Sequence, residues 1–296
     1  MGMSRVAGSK PVVGVFLLLL FLAFPPMACS SDQALPGQTS EGEQTIGAPP
    51  TGEVPFVIPG TLVENSEYAA RRQRLMDEIS DGIAIIPGAT SHLAGEQFFQ
   101  SNDFFYFTGV EAPDAWLVVN GVSRTSTLFL TLDEHEARGE GLPPELATDP
   151  VAYTGIEESL PVEEMQSSLG ELAREVGVFY LSHRPEELPG MNTNEVFRAY
   201  QRTITDTPLD GRLTRELQLV DRLQELYPGV EIRDCFLPIQ VMRKVKSPAE
   251  VDLVREAAQI GVKAHLEFMR STQVGMPERA LAALFEFVSR REGAQG

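Results

Sequence analysis

Apolar positions recur every three or four residues from residue 248 onward, the spacing that predicts an amphipathic helix. Ser247 is a suitable N-cap, Pro248 suits the first helical position, and Glu250 completes a capping box. Residues 242–246 are interpreted as a linker into this helix. The predicted apolar face consists of Val251, Val254, Ala258, Gly261, Val262, His265, Phe268 and Met269.

A second amphipathic helix is predicted after a turn at Gly275 and Pro277. It carries the same spacing at Leu281, Leu284, Phe285 and Val288 and extends to Gly293. Two helices joined by a short turn present apolar faces that need a partner. We therefore expect this pair to open a domain and to be covered by polypeptide beyond it.

In the earlier part of the chain, segments with the three-to-four-residue spacing of helices alternate with apolar segments typical of strands. Helices are predicted over residues 64–79, 162–176, 193–200 and 213–226, and strands over 83–88, 98–109, 115–119, 127–132, 178–181 and 230–235. The segment 98–109 contains four consecutive aromatic residues, which is typical of a strand covered on both faces. Residues 133–150 are acidic and rich in Gly and Pro, and are interpreted as a surface excursion. The order predicts a mixed α/β sandwich.

Net charge and cysteine number argue against several classes of protein. The chain has 296 residues, 43% of them apolar and 22% charged, with a formal net charge of −18. Such an acidic balance disfavours nucleic-acid binding, which requires clustered Lys and Arg. Cys29 and Cys235 are the only cysteines. That number excludes a disulfide scaffold and a zinc site built on cysteines.

The N-terminal segment has the features of an export signal. A basic start precedes an unbroken apolar run over residues 12–24, which is shorter than the roughly 20 residues that span a bilayer. The following Pro26-Met-Ala-Cys29 resembles a bacterial lipobox, although proline stands where leucine is usual. Lipidation of Cys29 is the favoured interpretation. Cleavage after Ala28 and an uncleaved anchor are the alternatives, and residues 30–59 are predicted to be a flexible tether.

None of the candidate chemical groups forms a catalytic pattern. The cluster Asp133-Glu-His-Glu136 lacks the second His of a zinc helix and is interpreted as a solvated acidic turn. His265 is expected in the core or in a cleft wall rather than as a metal ligand, and Cys235 as a buried structural thiol. His92 and His183 stand alone. No nucleophile elbow, phosphate loop or dinucleotide fingerprint occurs.

Three stretches together resemble the aminopeptidase P family of Xaa-Pro aminopeptidases, within the creatinase and prolidase superfamily. They are FFQSNDFFYFTGVEAPDAWLVV at residues 98–119, YTGIEE at 153–158, and the segment 242–275 with its KSPAE. The resemblance extends over residues 54–296. It implies an α/β fold with a mixed, ribonuclease-H-like sheet in an N-terminal domain, followed by a pita-bread catalytic domain.

The resemblance also divides the chain. The residue pattern predicts a signal peptide with a lipobox over residues 1–29 and a tether over 30–59, and the resemblance implies the aminopeptidase P N-terminal domain over 60–238 and the start of the pita-bread domain over 239–296. The family holds two metal ions, usually Mn²⁺, through two Asp, one His and two Glu, and those ligands are expected beyond Gly296. No catalytic or metal-binding residue is therefore assigned here, and only Cys29, Ser247 and Glu250 are assigned roles.

The expected function is that of a fragment of an exported Xaa-Pro aminopeptidase, inactive by itself. Its expected partners are proline-containing peptides and further copies of itself, with no nucleic acid. Its expected location is the bacterial cell envelope, facing the periplasm or the exterior, with membrane attachment through the N-terminal lipid or signal. Two alternatives remain open: a stand-alone binding or oligomerisation module, and a prolidase-like or creatinase-like hydrolase.

Overall fold

The structure is a computed structural model that describes residues 63–90, 98–185, 198–199 and 213–294. These residues lie within a single compact unit, Glu53–Gly296. The predicted signal peptide with Cys29, the tether, His92 and most of the predicted helix 193–200 fall outside the described residues. No helix among the described residues is both long enough and apolar enough to cross a membrane.

Helices and strands alternate in the first part of the described chain, and helices alone form the last part. In chain order they are α1 (Asn65–Glu78), β1 (Ile83–Pro87), α2 (Asn102–Thr108), β2 (Trp116–Asn120), β3 (Thr125–Phe129), α3 (Glu134–Gly139), α4 (Pro144–Thr148), α5 (Pro150–Thr154), β4 (Glu158–Leu160), α6 (Met165–Glu175), β5 (Val178–Leu181), α7 (Arg215–Leu226), β6 (Glu231–Asp234), α8 (Phe236–Lys244), α9 (Pro248–Ser271) and α10 (Glu278–Arg291). We call α1 to β6 the sheet unit, and α9 with α10 the helical arm.

The strands form one six-stranded mixed sheet in the order β4-β3-β2-β1-β5-β6. Strands β1, β2 and β3 are antiparallel neighbours, whereas β1, β5 and β6 run parallel to one another, as do β3 and β4. The parallel pairs are possible because helices connect their strands. The mixed α/β architecture is therefore as predicted.

Alternating side chains of the strands point to opposite faces of the sheet and contribute to two separate hydrophobic clusters. On β1, Ala84 and Ile86 join a cluster under α1 and α2, while Ile83 and Ile85 join a cluster under α6 and α7. All four of these residues are at most 3% exposed. The sheet is thus covered by helices on both faces, which is why β1 is an unbroken apolar run.

The aromatic run at residues 104–107 lies in helix α2, so the prediction of a strand there was wrong. The helix ends at Gly109, which adopts the left-handed conformation at φ 68°. Phe104 and Phe107 are fully buried and Tyr106 is 6% exposed. A seven-residue helix enclosed on most sides shows the same unbroken apolar run as a buried strand, so periodicity could not distinguish the two.

Two neighbouring arginines of α1 hold the C-terminal end of α2. The guanidinium of Arg71 donates to the carbonyl oxygen of Tyr106 at 3.0 Å, and that of Arg72 donates to Phe107 O at 2.9 Å. Arg72 also donates to Gly155 O at 2.8 Å, just past the end of α5. Buried cations at the negative ends of two helices are favourably placed, and they close helices too short to be stable alone.

Residues 133–150 and 236–244 also differ from the predictions. The surface excursion contains the short helices α3 and α4, whose Ala137 and Leu146 are at most 1% exposed. Helix α8 was not predicted, and its last turn occupies the start of the supposed linker. Pro238 in its first turn costs little, because the amides of that turn have no helical partner.

Candidate functional site

A cleft opens where three parallel strands end. Its wall includes Pro87 at the end of β1, Ser182 after β5 and Cys235 after β6. The carboxyl ends of parallel strands are where open α/β sheets usually bind ligands. The position of the cleft therefore makes it the first candidate for a binding site.

The cleft is lined by an ion pair and by a buried thiol, Cys235. Arg243 of α8 pairs with Asp103 of α2 at 2.7 Å, and these side chains are 18% and 20% exposed. Cys235 is 1% exposed, and burial, reinforced by Asp103 and Asp234, raises the pKa of its thiol. A nucleophilic cysteine needs a lowered pKa, so Cys235 is a structural thiol, as predicted.

The remaining histidines and acidic residues that the sequence singled out are dispersed. His135 is exposed on α3, whose start is closed by a capping box between Asp133 and Glu136. His183 lies in the loop after β5, where its Nε2 is buried without a partner among the described residues. The cluster at 133–136 is solvated, as predicted, although it forms a helix rather than an irregular turn.

The described residues contain no group of three or more His, Cys, Asp and Glu side chains that could hold a metal ion. A catalytic metal centre needs several such groups directed at one point. No candidate metal site is therefore found among the described residues.

A polar network, which we call the joint, connects the sheet unit to the start of the helical arm. Arg71 lies over the ring of Tyr106, with Cζ 4.2 Å from the ring centroid, and is paired with Glu67 of its own helix. On its other side, Nη2 of Arg71 is 3.6 Å from Oε2 of Glu250 in the first turn of α9. The same arginine thus contacts two elements of the sheet unit and the first turn of the arm.

Tyr106 contributes the second contact of the joint. Its hydroxyl donates to the carbonyl oxygen of Met242 at 3.1 Å and accepts a hydrogen bond from Arg74 at 3.0 Å. Burial raises the pKa of Tyr106 above its usual value, so the hydroxyl keeps its proton and can act as the donor. The sequence did not predict this role, because arginines on an amphipathic helix are usually exposed.

Glu250 has two functions within the same first turn. Its carboxylate accepts the Ser247 N–H at 2.8 Å, while the Ser247 hydroxyl accepts the Glu250 N–H at 3.2 Å. The capping box that the sequence predicts is therefore present. The same carboxylate oxygen faces Arg71, so one side chain both caps α9 and contacts the sheet unit.

The helical arm leaves most of its predicted apolar face uncovered. Val254, Val262 and Met269 are 59%, 58% and 61% exposed, so α10 does not cover this part of the predicted face. Ala264 is the fully buried residue of α9, and α9 is in contact with α10. His265 is exposed, with its ring edge-on to that of Phe285 and the ring centroids 4.9 Å apart, so the core alternative was wrong and the cleft-wall alternative stays a prediction.

This chain is similar to known Xaa-Pro aminopeptidases over about four fifths of its length. Residues 68–180 match a family model described as the aminopeptidase P N-terminal domain. Human Xaa-Pro aminopeptidase 3 is 26% identical over 260 residues, covering 80% of this chain and 46% of the human protein. The Xaa-Pro aminopeptidase of Escherichia coli (strain K12) is 27% identical over 244 residues, covering 79% and 51%. The chain spans about half the length of these curated relatives.

Solved structures show the same fold. Aminopeptidase P from E. coli with the inhibitor Pro-Leu gives a TM-score of 0.60 at 23% identity, covering 79% of this chain and 51% of that chain. The Pseudomonas aeruginosa aminopeptidase PepP gives 0.58 at 24% identity, covering 79% and 50%. The similarity includes more of the chain than the family model does.

Proposed function

This chain belongs to the aminopeptidase P family, and we propose on that premise that it is part of an exported Xaa-Pro aminopeptidase. Such an enzyme removes the N-terminal residue that precedes proline. The observation that carries the proposal is the match of residues 68–180 to the family's N-terminal domain, together with relatives named for this activity. Proline-containing peptides are the proposed substrates, and the sheet unit is proposed to restrict access and to build contacts between copies.

The metal centre of this proposed enzyme belongs to polypeptide other than the described residues. Two Mn²⁺ are the expected ions, and the described residues offer no group to hold them. When bound, such metals would activate water for attack on the peptide carbonyl. The contribution of the described residues is to position the arm, whose uncovered apolar side chains are the expected contact surface for that further polypeptide.

An assay of the purified chain tests the proposed inactivity. The chain is incubated with an Xaa-Pro peptide, with and without Mn²⁺, beside the E. coli relative as a positive control. The proposal predicts no release of the first residue above the metal-free background. Metal-dependent release by this chain would contradict it.

The gene sequence beyond the codon for Gly296 separates the enzyme from a stand-alone module. The proposal expects two Asp, one His and two Glu in that order, within a further domain. A stop codon at this position, with a stable soluble product, would favour the binding or oligomerisation module. With the longer product, cleavage confined to dipeptides, or action on creatine, would instead identify a prolidase-like or creatinase-like hydrolase.

Export and lipidation form a separate part of the proposal. The apolar run at residues 12–24 and the lipobox-like sequence ending at Cys29 support delivery to the cell envelope and lipid attachment. We expect the protein to incorporate a labelled fatty acid in the producing bacterium and Cys29→Ser to lose this labelling. Equal labelling of both forms would contradict lipidation at this residue. Recovery of the protein in the cytoplasmic fraction would contradict export.

A further inference from the structure

The contact between Arg71 and Glu250 has properties that a surface ion pair lacks. The two side chains are only 6% and 19% exposed, so water and salt screen their attraction weakly. Arg71 is held on the sheet side by its bonds to Tyr106 O and Glu67. Glu250 is held on the arm side by the capping box. Each partner is therefore fixed before the two meet, which lowers the entropic cost of the pair.

A small rotation at this point is amplified along the arm. Helix α9 has 24 residues, which at about 1.5 Å per residue gives a length of about 36 Å. Helix α10 packs back against α9 and moves with it. The joint lies at the first turn of α9, so the position of everything that the arm carries depends on contacts made there.

We propose that Arg71 and Glu250 form an electrostatic joint that sets the direction in which the helical arm leaves the sheet unit. The hydrogen bond from Tyr106 to Met242 O fixes the end of α8, and the Arg71–Glu250 contact fixes the start of α9. Glu250 is thus a positioning residue in addition to a helix cap. The proposal concerns the described residues alone and does not depend on the proposed peptidase activity.

One substitution separates the two roles of Glu250. Glutamine at the third helical position also closes a capping box, so Glu250→Gln keeps the cap while removing the charge opposite Arg71. The chain offers a matched control in Glu136→Gln, which changes the equivalent residue of the capping box on exposed α3. Any effect shared by both variants comes from the cap, and an effect confined to Glu250→Gln comes from the joint.

The direction of the arm can be measured by energy transfer from the single tryptophan. Trp116 lies at the start of β2, and an acceptor dye on Gln273→Cys reports the far end of α9. Cys29→Ser in every variant leaves the introduced thiol as the reactive one, because Cys235 is buried. Time-resolved transfer in the full 296-residue chain then gives the distribution of distances between the sheet unit and the arm.

We expect Glu250→Gln to widen or shift this distribution, and Glu136→Gln to leave it unchanged. Amide exchange in the first hydrogen-bonded turn of α9 should accelerate on the order of fivefold in Glu250→Gln, while exchange in the sheet stays constant. A like-charge variant, Glu250→Lys, should have a larger effect than Glu250→Gln on the distance distribution.

A double-mutant cycle of Arg71 and Glu250 tests whether the two residues act through their contact. In an Arg71→Gln background, Glu250→Gln should have no further effect on the distribution, because the contact is already absent. An unchanged distribution in Glu250→Gln alone would overturn the proposal even if Arg71→Gln failed to fold. Equal effects of Glu250→Gln and Glu136→Gln, or additive effects of the Arg71 and Glu250 variants, would also overturn it.

Discussion

The sheet unit and the helical arm use similar apolar residues but cover them to different extents. Phe104, Phe107 and Phe179 of the sheet unit are fully buried, whereas Phe287 of the arm is 61% exposed. The difference follows from the number of partners. Each helix on the sheet packs on strands and neighbouring helices, while α9 and α10 have mainly each other. An apolar pattern therefore shows that a face needs to be covered. It does not identify the segment that covers it.

Some charged residues are also buried in the sheet unit, whereas those of the helical arm are more exposed. Arg72 of the sheet unit is 1% exposed and bonds the ends of two helices. In the arm, Lys263 is 58% exposed where it pairs with Glu292. Burial lowers the pKa of Arg72, opposed by the nearby Glu157, yet a guanidinium stays charged at physiological pH. Charges hold the sheet unit together from inside, and those on the arm add little stability.

The largest effect is expected from a cavity in the sheet unit. Phe104→Ala removes a fully buried ring from the cluster under α1 and α2, and we expect a loss of about 3–5 kcal/mol in the free energy of unfolding. Urea denaturation measures it. Phe287→Ala on the arm is the matched control and should cost less than about 1 kcal/mol. Comparable losses would break the contrast between the two regions.

A smaller but still large effect is expected at Arg72. Arg72→Met keeps the aliphatic volume but leaves the carbonyls of Phe107 and Gly155 without their donor, at a cost of about 3 kcal/mol. The control is Arg124→Met, whose guanidinium is 42% exposed where it pairs with Asp77 and should contribute about 0.5 kcal/mol or less. If both variants lost the same stability by urea denaturation, the helix-end role of Arg72 would be excluded.

The end of α2 gives an intermediate effect with a steric origin. Gly109 has φ 68°, and an added Cβ would lie 2.6 Å from Cζ of Tyr68. Gly177 has φ 72° with nothing within 4 Å of the same position. Gly177→Ala should cost about 1 kcal/mol for the backbone alone, and Gly109→Ala about 1–3 kcal/mol more. Equal thermal shifts in the two variants would show that Tyr68 moves aside freely.

The smallest change is expected on the uncovered side of the arm. Val262→Gln replaces a side chain that is 58% exposed, and should alter the free energy of unfolding by about 0.5 kcal/mol or less. Ala264→Gln, two residues further along and fully buried, should destabilise the helical arm by about 2 kcal/mol. Helicity measured by circular dichroism during urea titration distinguishes them. A large loss in Val262→Gln would mean that this face is already covered.

The sequence predicted those elements whose signals are local. The capping box of Ser247 and Glu250, the amphipathic helices and strands β1, β2 and β5 all follow from periodicity and capping residues. Helix α2 was missed because its stabilisation is tertiary: Arg71 and Arg72, about 35 positions earlier in the chain, bond to its C-terminal carbonyls. Thr108-Gly109 was the one local indication of its end.

The candidate site was less predictable than the fold. The buried state of Cys235 followed from its place at a strand end, but the joint depends on Arg71, Tyr106 and Glu250, which are far apart in sequence. Periodicity also did not single out Ala264, the buried residue of α9, because an apolar pattern does not show which positions a neighbouring helix covers. The proposed boundary between residues 238 and 239 stays a prediction.

Amide hydrogen exchange on the intact 296-residue chain tests the contrast between the two regions most directly. If the sheet unit is complete and the arm lacks cover, amides of β1, β2 and β5 should exchange only through global unfolding. Amides of α9 and α10 should exchange at least about a hundredfold faster, through local opening that leaves the sheet intact. Equal protection of the arm and the sheet would contradict the account, because it would show that α9 and α10 are already fully packed.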